Sequence, residues 1–271
     1  MSDVDLGKRL WGIVKGVRDQ DALVHCITNP VTVNDCANAL LAAGAHPIMA
    51  AHPDEVAEVQ GGSSALVLNL GAVVQASSML RAAEAARAAG HPIVVDPVGV
   101  STSTIRRQLC LELLKGGISC LRGNASEVRA LVSSSRTAAG LEASASDVAN
   151  AAESGRTLAR RFACVVVVSG AVDRVSDGRR GFAVANGDAM MSRVTGMGCV
   201  STALLGAFFA ASASIEAAAA CCSLMGLSGE FAAAKTRSAG GGPGTFRTFL
   251  IDGLYLLDER AFLDGLRCDP A

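Results

Sequence analysis

Short apolar runs that end at a polar residue and lead into a helical pattern recur along this chain, and they constrain its fold more than any other feature. The clearest run, Cys164–Val168, closes at Ser169 and predicts a fully buried strand. Other runs lie at 22–27 and 47–50, and before Asn69, Asp96 and Arg122. Because strands and helices alternate, the sequence predicts an α/β fold whose mostly parallel sheet carries helices on both faces.

Polar side chains stand at the carboxyl ends of the predicted strands. In a parallel sheet these ends meet at one edge, which is where α/β proteins bind their ligands. The residues are Asn29, Asn69, Asp96, Arg122 and Ser169. The sequence therefore predicts a ligand crevice at this edge.

The stretch Arg193–Gly206, RVTGMGCVSTALLG, predicts a tight turn that feeds a helix N-terminus. Gly196 and Gly198 allow the backbone to approach a ligand closely, and the first helical N–H groups have no internal partner and favour an anion. We therefore expect a phosphate site here, with the Cys199 thiol at its mouth. A helix N-terminus lowers a thiol pKa, so Cys199 is a candidate base or nucleophile.

Two other interpretations of this stretch stay open. Cys199 can be a small buried residue, as free cysteines often are. The spacing of Gly196, Gly198 and Ser201 also fits a dinucleotide fingerprint, GxGxxS. That interpretation is weaker because the motif lies late in the chain and follows no long buried strand.

Composition excludes several classes of protein. The 271 residues carry a net charge of −1, which offers no electrostatic case for nucleic acid. No apolar run reaches a membrane span and no signal peptide is evident, so we expect no membrane partner. Nine scattered cysteines without a CxxC pair, and four histidines without metal-ligand spacing, predict reduced thiols in a cytoplasmic protein.

The later part of the chain departs from the regular alternation. Residues 133–145, rich in Ser, Ala and Gly, predict a mobile link. A hairpin turn is marked by Asp173, Asp177 and Gly178. Residues 199–236 predict two apolar helices, 238–246 a flexible glycine run, and 246–257 the last helix.

Asn124 and Glu127 fit a capping box at the start of the helix that follows the fifth strand. The Asn124 side chain would accept from the first turn of the helix, and Glu127 three residues later would reach back. This is a sufficient structural reason for Glu127, without any catalysis.

The motifs, taken in order and spacing, resemble those of the hydroxyethylthiazole kinases, within the ribokinase-like fold. The similarity runs from about residue 8 to 262 and is carried by VHCITNPVTVNDCANALLAAGAHPIMA, LVLNLG, PIVVDPVGV, RGNASE, VVVSGAVDRVSDG, VTGMGC and GPGTF. The resemblance implies one ribokinase-like domain over 1–271, which phosphorylates the hydroxyl of 4-methyl-5-(2-hydroxyethyl)thiazole with ATP and Mg²⁺ in thiamine biosynthesis or salvage. It also implies a homotrimer with substrate sites between subunits.

Matching positions then imply a role for each candidate residue. Cys199 matches the base on the substrate hydroxyl, where related sugar kinases carry Asp. The residues expected to bind the thiazole are Met49, Gly196, Asn29 and Val31. Those expected to bind ATP are Arg122, Ser169, Asn124 and Thr195, and those expected to bind Mg²⁺ are Asp96 and Glu127. A pocket with Val31, Met49 and Cys199 suits a small, flat, mostly apolar ring.

Three alternatives remain at this point. Another ribokinase-like kinase of pyrimidines or sugars is disfavoured by a cysteine at position 199. A thiol acyl-transfer enzyme built on Cys199 would need a histidine, for which His25 and His46 are candidates. A thiazole-binding protein without catalysis is disfavoured by the intact ATP-side and metal-side residues.

Overall fold

A computed structural model describes residues 3–132 and 145–271, and it contains one nine-stranded sheet. The strands are β1 (Leu23–Ile27), β2 (His46–Ile48), β3 (Ala65–Asn69), β4 (Ile93–Asp96), β5 (Cys120–Asn124), β6 (Val165–Ser169), β7 (Asp173–Ser176), β8 (Gly181–Val184) and β9 (Cys268–Pro270). Their order across the sheet is β2-β1-β3-β4-β5-β6-β7-β8-β9. Strands β1 to β6 pair in parallel, and β7, β8 and β9 continue the sheet antiparallel.

Helices cover both faces of this sheet. They are α1 (Asp3–Gln20), α2 (Val33–Ala42), α3 (Val56–Gly61), α4 (Ala76–Ala89), α5 (Thr104–Gly116), α6 (Ala125–Val132), α7 (Ala145–Phe162), α8 (Met197–Ala211), α9 (Ile215–Ser238), α10 (Pro243–Leu256) and α11 (Glu259–Gly265), with 3-10 helices at Leu70–Gln75 and Ala189–Arg193. The α/β prediction, with its mostly parallel sheet, is confirmed.

Alternation along the strands divides the apolar side chains between two cores. On β3, Val67 faces the core beneath α1, α2, α8, α9 and α10, whereas Leu66 and Leu68 face the core beneath α3 to α7. This follows from the strand period of two, which sends successive side chains to opposite faces. Both faces of the sheet are therefore buried, as parallel sheets require.

The helix α9 is long and apolar enough to cross a membrane by length and composition alone. However, 83% of its most apolar window is buried inside the fold. Such burial is typical of the central helix of a packed core, and α9 packs here against α8, α10 and α1.

The C-terminal part differs from the sequence prediction. The helix predicted over 246–257 begins at Pro243, because proline suits the first helical turn, so only residues 239–242 of the predicted glycine run lie outside a helix. The helix α11 and the edge strand β9 were not predicted. Residues 133–144 of the predicted mobile link lie outside the described residues, and the single-domain organisation stays a prediction.

Candidate functional site

The turn before α8 has the geometry that its glycines predict. Gly196 is the N-cap of α8 with φ 85°, in the left-handed region, and a Cβ there would lie 2.4 Å from Thr32 Cγ2. Only glycine therefore fits, both for conformation and for space. No side chain among the described residues caps α8, so its first N–H groups stay available to an anion. The segment before this turn is a 3-10 helix and not a strand, which removes the dinucleotide interpretation.

Arg122, on β5, lies directly against the same turn. A Cβ on Gly198 would come within 2.7 Å of Arg122 Nη1. The buried Arg122 Nε has no hydrogen-bond partner within the described part of the chain. A buried guanidinium nitrogen without a partner is costly, so its placement beside uncapped helical N–H groups points to an anionic ligand.

A cavity of about 530 Å³ opens beside Arg122 and the turn. Of the residues predicted to bind ATP, it is lined by Arg122 and Ser169, and Gly198 and Ser201 of α8 add to the same wall. Asp173 also lines it, although the sequence marked this residue only as part of a hairpin turn. Burial raises the pKa of the Asp173 carboxyl, while Arg122 opposes this effect. The size suits a drug-sized or nucleotide-sized ligand.

Cys199, in the first turn of α8, receives two amide donors. Asn29 Nδ2 lies 3.4 Å and Asn69 Nδ2 3.2 Å from Cys199 Sγ. Asn29 also donates to Asn69 Oδ1 at 3.2 Å, and Gly71 N donates to the same oxygen at 2.9 Å. These contacts fix the orientation of the Asn69 amide, so the sulfur is held as a hydrogen-bond acceptor.

The prediction of a lowered thiol pKa at Cys199 is wrong. Burial, followed by the nearby charge of Asp96, raises the Cys199 pKa, and the hydrogen bonds from Thr32, Asn29 and Asn69 oppose this only in part. Desolvation disfavours a thiolate more than these donors favour it. Cys199 is therefore mostly protonated at neutral pH before substrate binds.

Asp96 ends β4 beside Asn69, its register partner on β3. Asp96 Oδ2 accepts from Asn69 Nδ2 at 3.0 Å and from Thr202 Oγ1 at 2.9 Å. Burial raises the Asp96 pKa to about 6, with Arg122 lowering it and Glu127 raising it. A cation bound near Asp96 would stabilise the charged form of this buried carboxylate.

Asn124 and Glu127 form the predicted capping box. Asn124 Oδ1 accepts from Glu127 N at 3.0 Å, and Glu127 Oε2 accepts from Asn124 N at 2.9 Å. Glu127 Oε1 also accepts from Gly99 N at 3.1 Å. The box orients the Glu127 carboxylate at the same sheet edge as Asp96. No set of three or more His, Cys, Asp and Glu side chains suited to a metal occurs among the residues described.

The residues predicted for the thiazole side are more dispersed. Met49 is half-buried and packs against the same core as Cys199. Val31 lies in the turn before α2 with 70% of its surface exposed, and it is not among the residues that line the 530 Å³ cavity. Thr195 is exposed next to Gly196, outside the large cavity.

Neither candidate histidine contacts Cys199. His25 is buried and bonds to Gln60 Oε1 at 3.0 Å and to Ala50 O at 2.9 Å. His46 pairs with Asp21 at the surface. The thiol acyl-transfer alternative therefore has no histidine in place.

Sequence reasoning left two members of the site without a role. Asn69 was recognised as a strand-end residue, and its contacts with Cys199 and Asp96 give it a positioning role. Thr202, which binds Asp96, lies three residues after Cys199 on α8, a helical spacing that could have indicated a shared face.

Comparison with known proteins agrees with this architecture. Residues 14–260 match the model of the hydroxyethylthiazole kinase family. A hydroxyethylthiazole kinase from Oleidesulfovibrio alaskensis is 45% identical over 250 residues, which cover 91% of this chain and 92% of the relative.

Solved structures give the same result. The structure of a hydroxyethylthiazole kinase protein from Pyrococcus horikoshii superposes with a TM-score of 0.88 at 36% identity, covering 97% of this chain and 99% of that one. A ribokinase-like superfamily protein from Enterococcus faecalis superposes with a TM-score of 0.59 at 11% identity, covering 86% of each chain, which establishes the fold alone. The fold is therefore ribokinase-like.

Proposed function

Because the chain belongs to the hydroxyethylthiazole kinase family, we propose that it transfers the terminal phosphoryl group of ATP to the hydroxyl of 4-methyl-5-(2-hydroxyethyl)thiazole. The products are the thiazole phosphate and ADP, and the reaction belongs to thiamine biosynthesis or salvage in the cytoplasm. The observation that carries the proposal is the uncapped N-terminus of α8, which lies between Arg122 on one side and the Cys199 thiol on the other.

The nucleotide occupies the 530 Å³ cavity, with its phosphates toward α8. Arg122 pairs with phosphate oxygens, and the first N–H groups of α8 donate to the group in transfer. Ser169 lines the cavity. Asn124 and Thr195 do not line it, and they contribute through the capping box and the glycine turn. Phosphoryl transfer depends on such positioning and charge stabilisation more than on covalent chemistry.

The acceptor hydroxyl lies beside Cys199. Its oxygen forms the new bond to the terminal phosphorus as the bond from phosphorus to the bridging oxygen of ADP breaks, and its proton passes to Cys199 Sγ in the thiolate form. Asn29 and Asn69 hold that sulfur as an acceptor. In a loose transition state the proton leaves late, so a thiol that is mostly protonated beforehand slows the reaction without blocking it.

The acidic residues at this edge fit Mg²⁺. Hard carboxylate oxygens suit this ion, and Mg²⁺ is usually held by one or two carboxylates together with substrate phosphates and waters. Asp96 would hold it, and Glu127 would do so through water because both its oxygens accept backbone N–H groups. When bound, the ion would neutralise charge on the phosphates.

Removal of divalent metal is expected to abolish phosphorylation. A chelator in excess over metal should stop ADP formation, and added Mg²⁺ should restore it, because Asp96 and Glu127 alone would repel the triphosphate. The measurement is the initial rate of ADP release before and after each addition. Undiminished turnover in metal-free buffer would contradict the metal assignment.

Replacing Arg122 with alanine is expected to weaken ATP binding by about 1.5–3 kcal/mol, the loss of a charge-assisted hydrogen bond. Lysine should restore only part of the affinity, because it cannot form the planar two-pronged contact of a guanidinium. Isothermal titration with ATP measures both variants. Arg81→Ala, which removes an exposed ion pair with Asp54 elsewhere, is the control. An Arg122→Ala affinity equal to that of the control would make Arg122 structural.

Val31, Met49, Asn29 and Gly196 face the thiazole in an assembly of three subunits. Exposed apolar side chains on the adjacent α2 and α10 segments support this arrangement: Val31 is 70%, Leu41 53% and Tyr255 70% exposed. Burial of these side chains against a second copy would remove apolar surface from water. Val31, which is largely exposed in a single chain, would then become a pocket wall.

Tyr255→Glu is expected to convert the trimer into monomers and to lower activity with it, because a charge would be buried in the contact. Val74→Glu is the control, since Val74 is 92% exposed and lies in the 3-10 helix Leu70–Gln75, whose buried residues belong to the core beneath α3 to α7. Multi-angle light scattering after size exclusion measures the mass of each. A wild-type protein that is an active monomer at low concentration would contradict the assembly.

The function itself is tested with purified protein, ATP, Mg²⁺ and a panel of alcohols: the thiazole alcohol, a hydroxymethylpyrimidine, pyridoxal and a pentose. We expect ADP release to be fastest by far with the thiazole alcohol. Faster release with a pyrimidine or sugar would identify another ribokinase-like kinase. Thiazole binding without any ADP release would favour a binding protein.

A further inference from the structure

One wall of the large cavity is formed by the segment from Asn186 to Met191, which runs into the 3-10 helix Ala189–Arg193, rests directly on α9 and is called the loop below. Asn186, Gly187 and Met191 of this loop line the cavity, together with Gly226 of α9. A Cβ on Gly226 would lie 2.5 Å from Asn186 O, and a Cβ on Gly229 would lie 2.6 Å from Met191 Sδ. These glycines are three residues apart on one helix face, so together they form a groove in which the loop sits.

The next residue on α9, Glu230, fastens the loop in this groove. Glu230 Oε1 accepts from Gly187 N at 2.7 Å and from Asn186 Nδ2 at 3.0 Å. The carboxylate is paired with Arg267, which precedes β9. Arg267 N also donates to Asn186 Oδ1 at 2.8 Å. The C-terminal segment and α9 thus hold the same loop from two sides.

Glu230 and Arg267 do not line the cavity. The loop residues to which they are hydrogen-bonded either line the cavity or neighbour a residue that does. Arg122 and the N-terminus of α8 account for the phosphate side. The rest of the lining includes the methionines Met191 and Met225, beside polar residues such as Asn186. Methionine side chains adapt well to flat aromatic surfaces.

We propose that Glu230 is a positioning residue for the nucleotide: with Arg267 and the glycine groove Gly226–Gly229, it fixes the loop from Asn186 to Met191 and so sets the width of the cavity where the purine base of ATP lies. This inference rests on the proposed function, because it requires that the cavity takes the nucleotide. In this proposal the thiazole alcohol does not contact the loop. Substitution of Glu230 should therefore weaken the binding of ATP and leave the binding of the thiazole alcohol unchanged.

The test compares Glu230→Ala with Glu216→Ala. Glu216 is a matched control because it is a paired carboxylate on the same helix, bonded to Arg180 at 2.7 Å, and it does not line the cavity. Glu230→Ala is expected to raise the KM for ATP about tenfold, which equals about 1.4 kcal/mol, and to leave the KM for the thiazole alcohol within about twofold. Glu216→Ala should leave both KM values unchanged, even where it lowers the Tm as much.

Two further variants sharpen the result. Glu230→Gln keeps an acceptor for Gly187 N and should show a smaller rise in the KM for ATP than Glu230→Ala. Arg267→Ala, at a side chain 51% exposed, keeps the fold and should also raise the KM for ATP alone, by about threefold. It serves in place of Glu230→Ala if that variant does not fold.

Different outcomes would overturn the proposed function and the positioning role of Glu230. A wild-type protein without thiazole phosphorylation overturns the proposed function. An active wild type whose Glu230→Ala and Arg267→Ala variants keep the wild-type KM for ATP, or lose affinity for both substrates equally, overturns this inference alone.

Discussion

Replacing Cys199 with alanine is expected to lower kcat by about 10²–10⁴-fold, toward the lower end of that range, because removal of a general base has this cost and the proton leaves late in a loose transition state. Folding and the binding of both substrates should persist, since Cys199 is only partly buried. Steady-state kinetics with circular dichroism measures both. Cys110→Ala, at a buried thiol on α5, is the control for loss of a cysteine as such.

Two other substitutions at position 199 distinguish a general base from a covalent nucleophile. Cys199→Ser should resemble alanine, because a hydroxyl is too weak a base. Cys199→Asp should keep activity or raise it, since a carboxylate is ionised at neutral pH and would accept from Asn29 and Asn69 as the sulfur does. Wild-type kcat in the alanine variant would reduce Cys199 to a pocket wall.

The raised pKa of Cys199 also sets the expected pH dependence. A base acts in its deprotonated form, and burial moves the Cys199 pKa above the ordinary thiol value. Wild-type kcat should therefore rise with pH through the alkaline range. Cys199→Asp should lack that rise, because its carboxylate is already ionised. Parallel pH profiles for the two proteins would contradict the assignment of Cys199 as the titrating base.

Gly196→Ala is the second substitution with a large expected effect. The added Cβ would lie 2.4 Å from Thr32 Cγ2, and alanine would have to adopt φ 85°. The turn must shift, and the first N–H groups of α8 shift with it. Loss of one aligned donor to a developing oxyanion costs about 10²–10³-fold in rate, so we expect kcat/KM to fall by at least that amount.

A matched variant isolates the steric and positional part of this effect. Gly90, the C-cap of α4, also has a positive φ of 71°, but a Cβ there meets nothing within 4 Å. Gly90→Ala carries a similar backbone strain without a clash and should lose stability while keeping kcat/KM. Equal activity of the two variants would show that the turn at Gly196 is not where phosphate is transferred.

The regular part of the fold was accessible from sequence because strand ends carry local signals. An apolar run such as Cys164–Val168 and the polar residue that follows it predict both a strand and the edge where its side chains meet. The capping box of Asn124 and Glu127 is equally local and was predicted correctly. Such features depend on neighbouring residues alone, so one chain is enough to find them.

Features that depend on burial or on distant contacts were not accessible. The Cys199 pKa is governed by desolvation and by Asp96, which is about a hundred positions away in the chain, and the local helix-terminus argument gave the wrong direction. The groove of Gly226 and Gly229 has meaning only because the loop at Asn186 lies on it. Val31 was predicted to line a pocket, yet 70% of its surface is exposed in the single chain, and any contact that it makes across subunits lies beyond what one chain can show.

Phosphorus NMR of a reaction with purified protein, ATP, Mg²⁺ and the thiazole alcohol shows whether the terminal phosphate of ATP passes to the alcohol. We expect a new phosphomonoester signal that grows with the loss of the terminal phosphate of ATP, with one thiazole phosphate formed for each ADP. Its growth should be much slower with the Gly196→Ala variant. Inorganic phosphate and ADP without the thiazole ester, or unchanged ATP, would contradict the assignment of the α8 N-terminus as the place where phosphate passes to the alcohol.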